Sequence, residues 1–156
     1  MTKRLLALLT VLLAACSSST PKVEHQVLEG GPGQAIEVSI VGFTQPVLLS
    51  QSSAEMPQNI HMQFEVSNNS NDTVTVTRIQ VDQSGSAPIQ IEPAQGGFNE
   101  SIEPGHEHTF DVSAVGKQVS LPHLGQNNDV IIRVVVSLMT GDSYVYNFSI
   151  PVSALQ

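Results

Sequence analysis

The sequence has one cysteine, six basic residues and no tryptophan among its 156 residues. A single cysteine excludes an internal disulfide and a cysteine-rich zinc site. The shortage of Lys and Arg, against 14 acidic residues and a net charge of -8, argues against a general nucleic-acid binder, which needs cations to face phosphate. Charged residues are only 13% and hydrophobic residues 40% of the chain, so it is too apolar to be wholly disordered.

The longest hydrophobic run lies at the N-terminus and is short. Lys3 and Arg4 precede an uncharged, Leu/Ala-rich segment at residues 5–15. A transmembrane helix needs about twenty such residues, whereas this length suits the hydrophobic region of a signal peptide. The segment ends in Leu13-Ala14-Ala15-Cys16, with small residues before the cysteine, as a signal peptidase requires.

Leu13-Ala14-Ala15-Cys16 resembles a bacterial lipobox, and residues 1–15 resemble a lipoprotein signal peptide. The resemblance implies that Cys16 receives a diacylglyceryl group on sulfur, becomes the first residue after cleavage, and is then acylated on its amine, for example with palmitate. Several acyl chains give stable membrane anchoring. Ser17 in place of aspartate implies, in a Gram-negative cell, the outer membrane with the domain facing the periplasm. The alternative is a free thiol behind an ordinary secretory peptide.

The rest of the chain divides into a tether and one domain. Removing residues 1–15, which include Lys3 and Arg4, from 156 residues leaves 141 and lowers the net charge from -8 to -10. Residues 16–34 comprise the lipidated cysteine and a segment rich in Ser, Pro and Gly, which predicts a flexible tether. Residues 35–156 are long enough for one domain with a hydrophobic core.

Apolar and polar residues alternate through most of this domain, which is the period of a β-strand. The clearest strands are predicted around 36–41, 60–67, 73–82, 89–91, 106–113, 130–139 and 144–150. With turn signals at short intervals and no amphipathic helix, the pattern predicts an all-β fold, an antiparallel β-sandwich of about seven strands.

Three local features refine this prediction. A phase shift near Thr77 and Arg78 predicts a β-bulge or a strand that changes sheets. The apolar face of 130–138 predicts a central strand. Gly141-Asp142 is typical of a two-residue turn, so the last two strands should pair as a hairpin.

Several segments resemble the immunoglobulin-like domains of bacterial surface and periplasmic proteins. They are Phe64 to Ser70 followed by Val74-Thr75-Val76, then Ile102 to Gly105, and Thr109 to Val112. The resemblance implies an immunoglobulin-like sandwich over most of residues 35–152. The tryptophan and cysteine pair of antibody domains are absent, and a transthyretin-like or other sandwich is the alternative.

The sharpest candidate for chemistry is the pair His106 and His108. Histidines two residues apart on a strand point to one face, where both imidazoles can bind one copper or zinc ion. His61, Met62 and Met139 are possible further copper ligands, although adjacent strand residues face opposite ways. The alternative, which we favour, is that His106 and His108 are partly exposed residues at the start of a strand, with no metal site and no cofactor. His25 and His123 are interpreted as incidental.

Catalytic motifs find no support. The sequence contains no Gly-x-Ser-x-Gly elbow, and acylation of Cys16 leaves no cysteine nucleophile.

An edge strand of a sandwich can accept a partner. Tyr144 and Tyr146 are candidates for such a surface, unless both pack in the core beside Phe148. The sequence therefore predicts a non-catalytic, lipid-anchored module that binds another envelope protein, with copper or zinc binding at His106 and His108 as the alternative function.

Overall fold

The computed structural model describes residues 25–26, 35–49, 57–121 and 128–154. The strands are β1 (His25–Gln26), β2 (Ile36–Phe43), β3 (Val47–Leu48), β4 (Gln58–Asn68), β5 (Val74–Gln83), β6 (Ile89–Ile91), β7 (Ala94–Ile102), β8 (Glu107–Gln118), β9 (Val130–Leu138), β10 (Ser143–Ile150) and β11 (Ser153–Ala154). The part of the chain described here holds no helix long and apolar enough to cross a bilayer. The predicted signal peptide, Cys16, most of the predicted tether and His123 lie outside the described residues.

Two antiparallel sheets make up the domain. The larger has the strand order β1-β10-β9-β5-β7, and the smaller has the order β2-β4-β8-β6. The two-residue strands β3 and β11 form a separate parallel pair. The predicted all-β sandwich is confirmed. The predicted count of about seven strands is wrong, because the described residues place nine strands in the two sheets.

The strands β1 and β7 account for the difference. β7 is an edge strand whose sequence contains Gly96 and Gly97, and most of its residues are exposed. Its core-facing Ala94 and Phe98 are only partly buried, so the hydrophobic alternation that marks a half-buried strand is weak. β1 lies within the segment predicted to be the tether, and its backbone pairs with β10 at Phe148 and Asn147.

The other seven strands follow the order of immunoglobulin-like sandwiches, in which one sheet is ABED and the other is CFG. Taken along the chain, β2, β4, β5, β6, β8, β9 and β10 occupy the positions of strands A to G. β7 is inserted between the D and E positions and extends the second sheet beyond β5. The strand order thus agrees with the predicted immunoglobulin-like arrangement and adds an edge strand to it.

The core fills the space between the sheets with the alternate residues of their strands. In β4, Ile60, Met62, Phe64 and Val66 are buried, while the residues between them face outward. Phe64 meets Phe148 of the opposite sheet at 6.4 Å between ring centroids. Burial of each such side chain stabilises the fold by roughly 1.5–3 kcal/mol. β9 lies in the middle of its sheet, which confirms the predicted central strand.

The predicted β-bulge in β5 is also confirmed. The register of β5 shifts between Val76 and Arg78 against both of its neighbours, β7 and β9. The extra residue allows Val76 and Ile79 to face the core although they are three positions apart. The same shift sends Arg78 to the outer face.

The hairpin between β9 and β10 has the predicted pairing but a different turn. The Leu138 N–H donates to the Asp142 carbonyl at 2.9 Å, and the Gly141 N–H donates to the Leu138 carbonyl at 3.1 Å. The loop therefore has three residues, 139–141, and the prediction of a two-residue turn is wrong. Gly141 has φ of +94°, which suits the left-handed position that follows a type I turn in three-residue hairpins.

Buried polar contacts join distant parts of the fold. The Tyr146 hydroxyl on β10 donates to the Ile36 carbonyl on β2 at 2.6 Å, across the two sheets. The Asn68 amide, which is fully buried, donates to the carbonyls of Asp72 at 2.8 Å and Ile102 at 2.9 Å. Its Oδ1 accepts from the Ser70 N–H at 3.0 Å. Each of these groups satisfies backbone atoms that burial would otherwise leave unpaired.

Candidate functional site

The outer face of the smaller sheet is acidic. We call it the acidic face; its carboxylates are Glu37 on β2, Glu65 on β4, and Glu107 and Asp111 on β8. They share one face because alternate strand residues point the same way, and the positions next to Glu37, Glu65 and Asp111 on their strands are core residues.

One histidine lies within the acidic face. His61 Nδ1 lies 3.1 Å from Ser113 Oγ, and His61 Nε2 lies 3.1 Å from Asp111 Oδ1. Gln63 donates to the same carboxylate oxygen at 3.0 Å. With the proton on Nε2, the ring donates to Asp111 and accepts from the Ser113 hydroxyl. The serine, histidine and aspartate thus form one chain of contacts, which the sequence analysis did not identify.

This chain of contacts lies in the open rather than in a cleft. The side chains of His61 and Asp111 are 52% and 57% exposed. Acyl-transfer catalysis by such a set needs a water-excluded site in which fixed donors face the developing oxyanion. We therefore interpret the cluster as a hydrated polar network, in which the His61–Asp111 contact contributes little to stability.

The histidines considered as alternative metal ligands have separate surroundings. His106 precedes β8 and its Nδ1 lies 3.2 Å from the Pro104 carbonyl oxygen. His108 packs edge-on against Phe110, with ring centroids 4.8 Å apart. Among the described residues, no group of three or more His, Cys, Asp or Glu side chains is placed to hold one metal ion.

The further copper ligands considered from the sequence, His61, Met62 and Met139, lie in different parts of the fold. Met62 is completely buried in the core, whereas Met139 is 63% exposed in the β9–β10 loop. His61 lies on the acidic face. The structure brings none of these three side chains into contact with another.

The tyrosines proposed as a partner surface belong to the core. Tyr146 is buried and stacks on Phe148, with ring centroids 6.4 Å apart. Tyr144 is half-buried and packs against the same core. The alternative interpretation, that both tyrosines pack with Phe148, is confirmed, and the tyrosines are not an exposed docking edge.

The outer face of the larger sheet has the opposite character. We call it the arginine face, and it contains Arg78 and Gln80 on β5, Arg133 and Val135 on β9, and Val145 on β10. Both arginines are exposed, and neither makes an ion pair or hydrogen bond with another described residue. The remaining described cation, Lys117 on β8, pairs with Glu92.

The centre of the arginine face is apolar. Val135 lies directly opposite Val145 on one side and Gln80 on the other, and both valines are half-buried. Asp82 lies opposite Arg133 in the register, but its carboxylate accepts a hydrogen bond from Gln80 at 2.9 Å. The face therefore presents a small apolar patch with one arginine on each side of it.

A shallow groove lies at one end of the sandwich. Its volume is about 420 Å³, and it is lined by Asp82, Gln83, Gly85, Ser86, Ala87, Gln90, Ile91, Pro93 and Val119. The Gln83 amide is committed to the backbone, since it accepts from the Ile91 N–H at 2.6 Å and donates to the Ile89 carbonyl at 3.2 Å. Its lining offers no convergent set of reactive groups.

Comparisons with known proteins identify no family. No protein-family model matches the chain, and no curated protein matches it.

Solved structures match at low identity. A Northeast Structural Genomics Consortium target, SoR45, is 11% identical with a TM-score of 0.47, over 76% of this chain and 87% of that one. The sporulation control protein Spo0M from Bacillus subtilis is 13% identical with a TM-score of 0.43, over 78% of this chain and 50% of that one. A FixG-related protein from Vibrio parahaemolyticus is 11% identical with a TM-score of 0.37, over 76% of this chain and 96% of that one.

Proposed function

We propose that the protein is a non-catalytic, protein-binding module of the bacterial envelope, anchored by lipid at Cys16 to the outer membrane and facing the periplasm. The anchor rests on the resemblance of Leu13-Ala14-Ala15-Cys16 to a lipobox. The binding role rests on the described domain.

The arginine face is the observation that carries the binding role. Neither Arg78 nor Arg133 makes an ion pair with another described residue, although Asp82 lies opposite Arg133 in the register. Arginine is enriched at protein interfaces, and the buried centre of an interface is more apolar than the rest of the surface. The chain as a whole is acidic, which disfavours nucleic acid and an anionic bilayer surface as partners.

The anchor is tested by Cys16→Ser in cells labelled with a fatty-acid analogue. We expect the variant to lose the label and to leave the membrane fraction, because the sulfur that accepts the lipid is gone. A variant that keeps the label would contradict the lipobox interpretation. Immunoblotting of both fractions controls for expression.

The binding role is tested by placing a photo-crosslinking amino acid at Gln80 or at Gln63 in the full chain. The two positions are matched, because each glutamine donates to an aspartate on its own face, at 2.9 Å and 3.0 Å respectively. We expect a reproducible adduct with one envelope protein. If illumination of living cells gives no protein adduct from Gln80, or the same adducts from Gln63, the binding role of the arginine face is wrong.

A further inference from the structure

We propose that the arginine face binds an extended acidic protein segment, in which two carboxylates four residues apart flank an apolar residue. This inference rests on the proposed binding role and names the chemistry of the partner. It follows from the spacing of the two arginines, the nature of the surface between them, and the charge of the rest of the molecule.

The register of β5 and β9 sets the spacing. Arg78 lies opposite Ser137, and Arg133 lies opposite Asp82. Positions 133 and 137 are four residues apart on one strand, which is about 13 Å at roughly 3.3 Å per residue. Adding the sideways step of about 4.8 Å to the neighbouring strand separates the two arginine backbones by about 14 Å. An extended peptide places residues i and i+4 about 13 Å apart on the same side.

The surface between the arginines favours an apolar residue at the middle position. Val135 lies between them along β9, with Val145 and Gln80 on its two sides. A residue at i+2 of an extended segment points the same way as i and i+4. Its side chain would therefore contact Val135 and Val145 while the flanking carboxylates reach the arginines.

Arginine suits carboxylates because the guanidinium donates two parallel hydrogen bonds to both oxygens. The nearest carboxylate on this face, Asp82, already accepts a hydrogen bond from Gln80. An anionic membrane is a weaker candidate, since it would attract two arginines but repel a chain whose net charge is -10 after residues 1–15, with Lys3 and Arg4, are removed from a sequence of net charge -8. A protein segment instead concentrates its negative charge at the two arginines.

The experiment measures binding of a fluorescent peptide to the full-length lipoprotein in neutral detergent. The peptide contains Glu-Thr-Val-Thr-Glu, and the control peptide contains Gln-Thr-Val-Thr-Gln. We expect binding of the glutamate peptide only. Arg78→Gln and Arg133→Gln should each weaken it about threefold to tenfold, as loss of a charge-assisted pair does, and higher salt should weaken it further.

Lys117→Gln is the matched control, because it removes one positive charge from the other sheet. It should leave peptide binding unchanged, although it alters the net charge by the same amount as the arginine substitutions and also removes the ion pair with Glu92. Circular dichroism of each variant shows that the fold is retained.

Three results would overturn the proposal. One is no binding of the glutamate peptide, or binding that the arginine variants leave unchanged. Another is arginine-dependent binding to phosphatidylglycerol vesicles without peptide binding, which assigns the face to the membrane. A third is arginine-dependent self-association in analytical ultracentrifugation without peptide binding, which assigns it to a second copy. If the crosslinks in cells persist in any of these cases, the binding role stands and only the partner chemistry is wrong.

Discussion

The Tyr146 hydroxyl is the single group whose removal tests the packing of the two sheets most directly. It is 5% exposed, and it donates to the Ile36 carbonyl on the opposite sheet at 2.6 Å. Tyr146→Phe removes one oxygen and keeps the ring stacked on Phe148. Because the Ile36 carbonyl then loses its donor in a buried site, we expect the free energy of unfolding to fall by about 1–3 kcal/mol. That corresponds to a loss of roughly 4 °C in Tm for each kcal/mol.

The same hydroxyl gives a pH dependence with a definite sign. Burial, and then the nearby Tyr144 and Glu37, raises the pKa of Tyr146 in the folded protein above its ordinary value. The unfolded chain releases this proton near pH 10, while the folded protein retains it. The stabilisation is therefore complete below pH 10 and is lost as the pH rises. At pH 11 the loss amounts to about 1.4 kcal/mol in the wild-type protein and is absent from Tyr146→Phe.

Urea unfolding at pH 7 and pH 11, followed by circular dichroism, measures both effects. We expect the stability gap between wild type and Tyr146→Phe to narrow by about 1.4 kcal/mol between the two pH values. Tyr144→Phe is the control, because Tyr144 is half-buried and its hydroxyl has no hydrogen bond within the described residues. A gap that stays constant from pH 7 to pH 11 would refute the assignment of a buried, protonated hydroxyl.

Two further substitutions test the turns. Asn68→Ala should lower the free energy of unfolding by about 2–3 kcal/mol, because it leaves buried backbone groups unpaired. The control Asn69→Ala, at an exposed position, should change it by less than about 0.5 kcal/mol. Equal urea midpoints for the two variants would contradict this prediction. Gly141→Ala should lower the Tm, because a side chain at positive φ lowers the free energy of unfolding by about 1 kcal/mol. The control Gly97→Ala places its methyl group in open space and should leave the Tm unchanged. Equal losses of Tm in calorimetry would refute the three-residue turn.

Hydrophobic alternation predicted those strands that bury one face and expose the other. β4, β9 and β10 each contain several core residues at every second position, so their existence follows from the sequence alone. β7 has only a weak face of this kind, because Gly96 supplies no side chain between Ala94 and Phe98, which are only partly buried. The β9–β10 turn was predicted one residue too short, since the sequence does not show which residue pairs with Leu138.

Contacts between distant strands were beyond the sequence. His61 and Ser113 are 52 positions apart and meet because β4 and β8 pair in one register. A shift of one residue in that register would place one of them in the core. The pair His106 and His108 was considered as an alternative metal site from local spacing, but His106 precedes the strand, so the alternation that places both on one face does not apply to it.

The net charge of the chain does not determine what a short segment meets when it contacts the arginine face. The sequence contains 14 acidic and six basic residues, but the topology sends Glu37, Glu65 and Asp111 to one outer face and Arg78 and Arg133 to the other. At physiological salt the field of a surface charge is screened within about 8 Å. At contact distance, an approaching segment therefore responds to the two arginines in front of it more than to the carboxylates on the far side. The position of the β5 bulge controls this outcome, because without the extra residue between Val76 and Ile79 the alternation would point Arg78 toward the core.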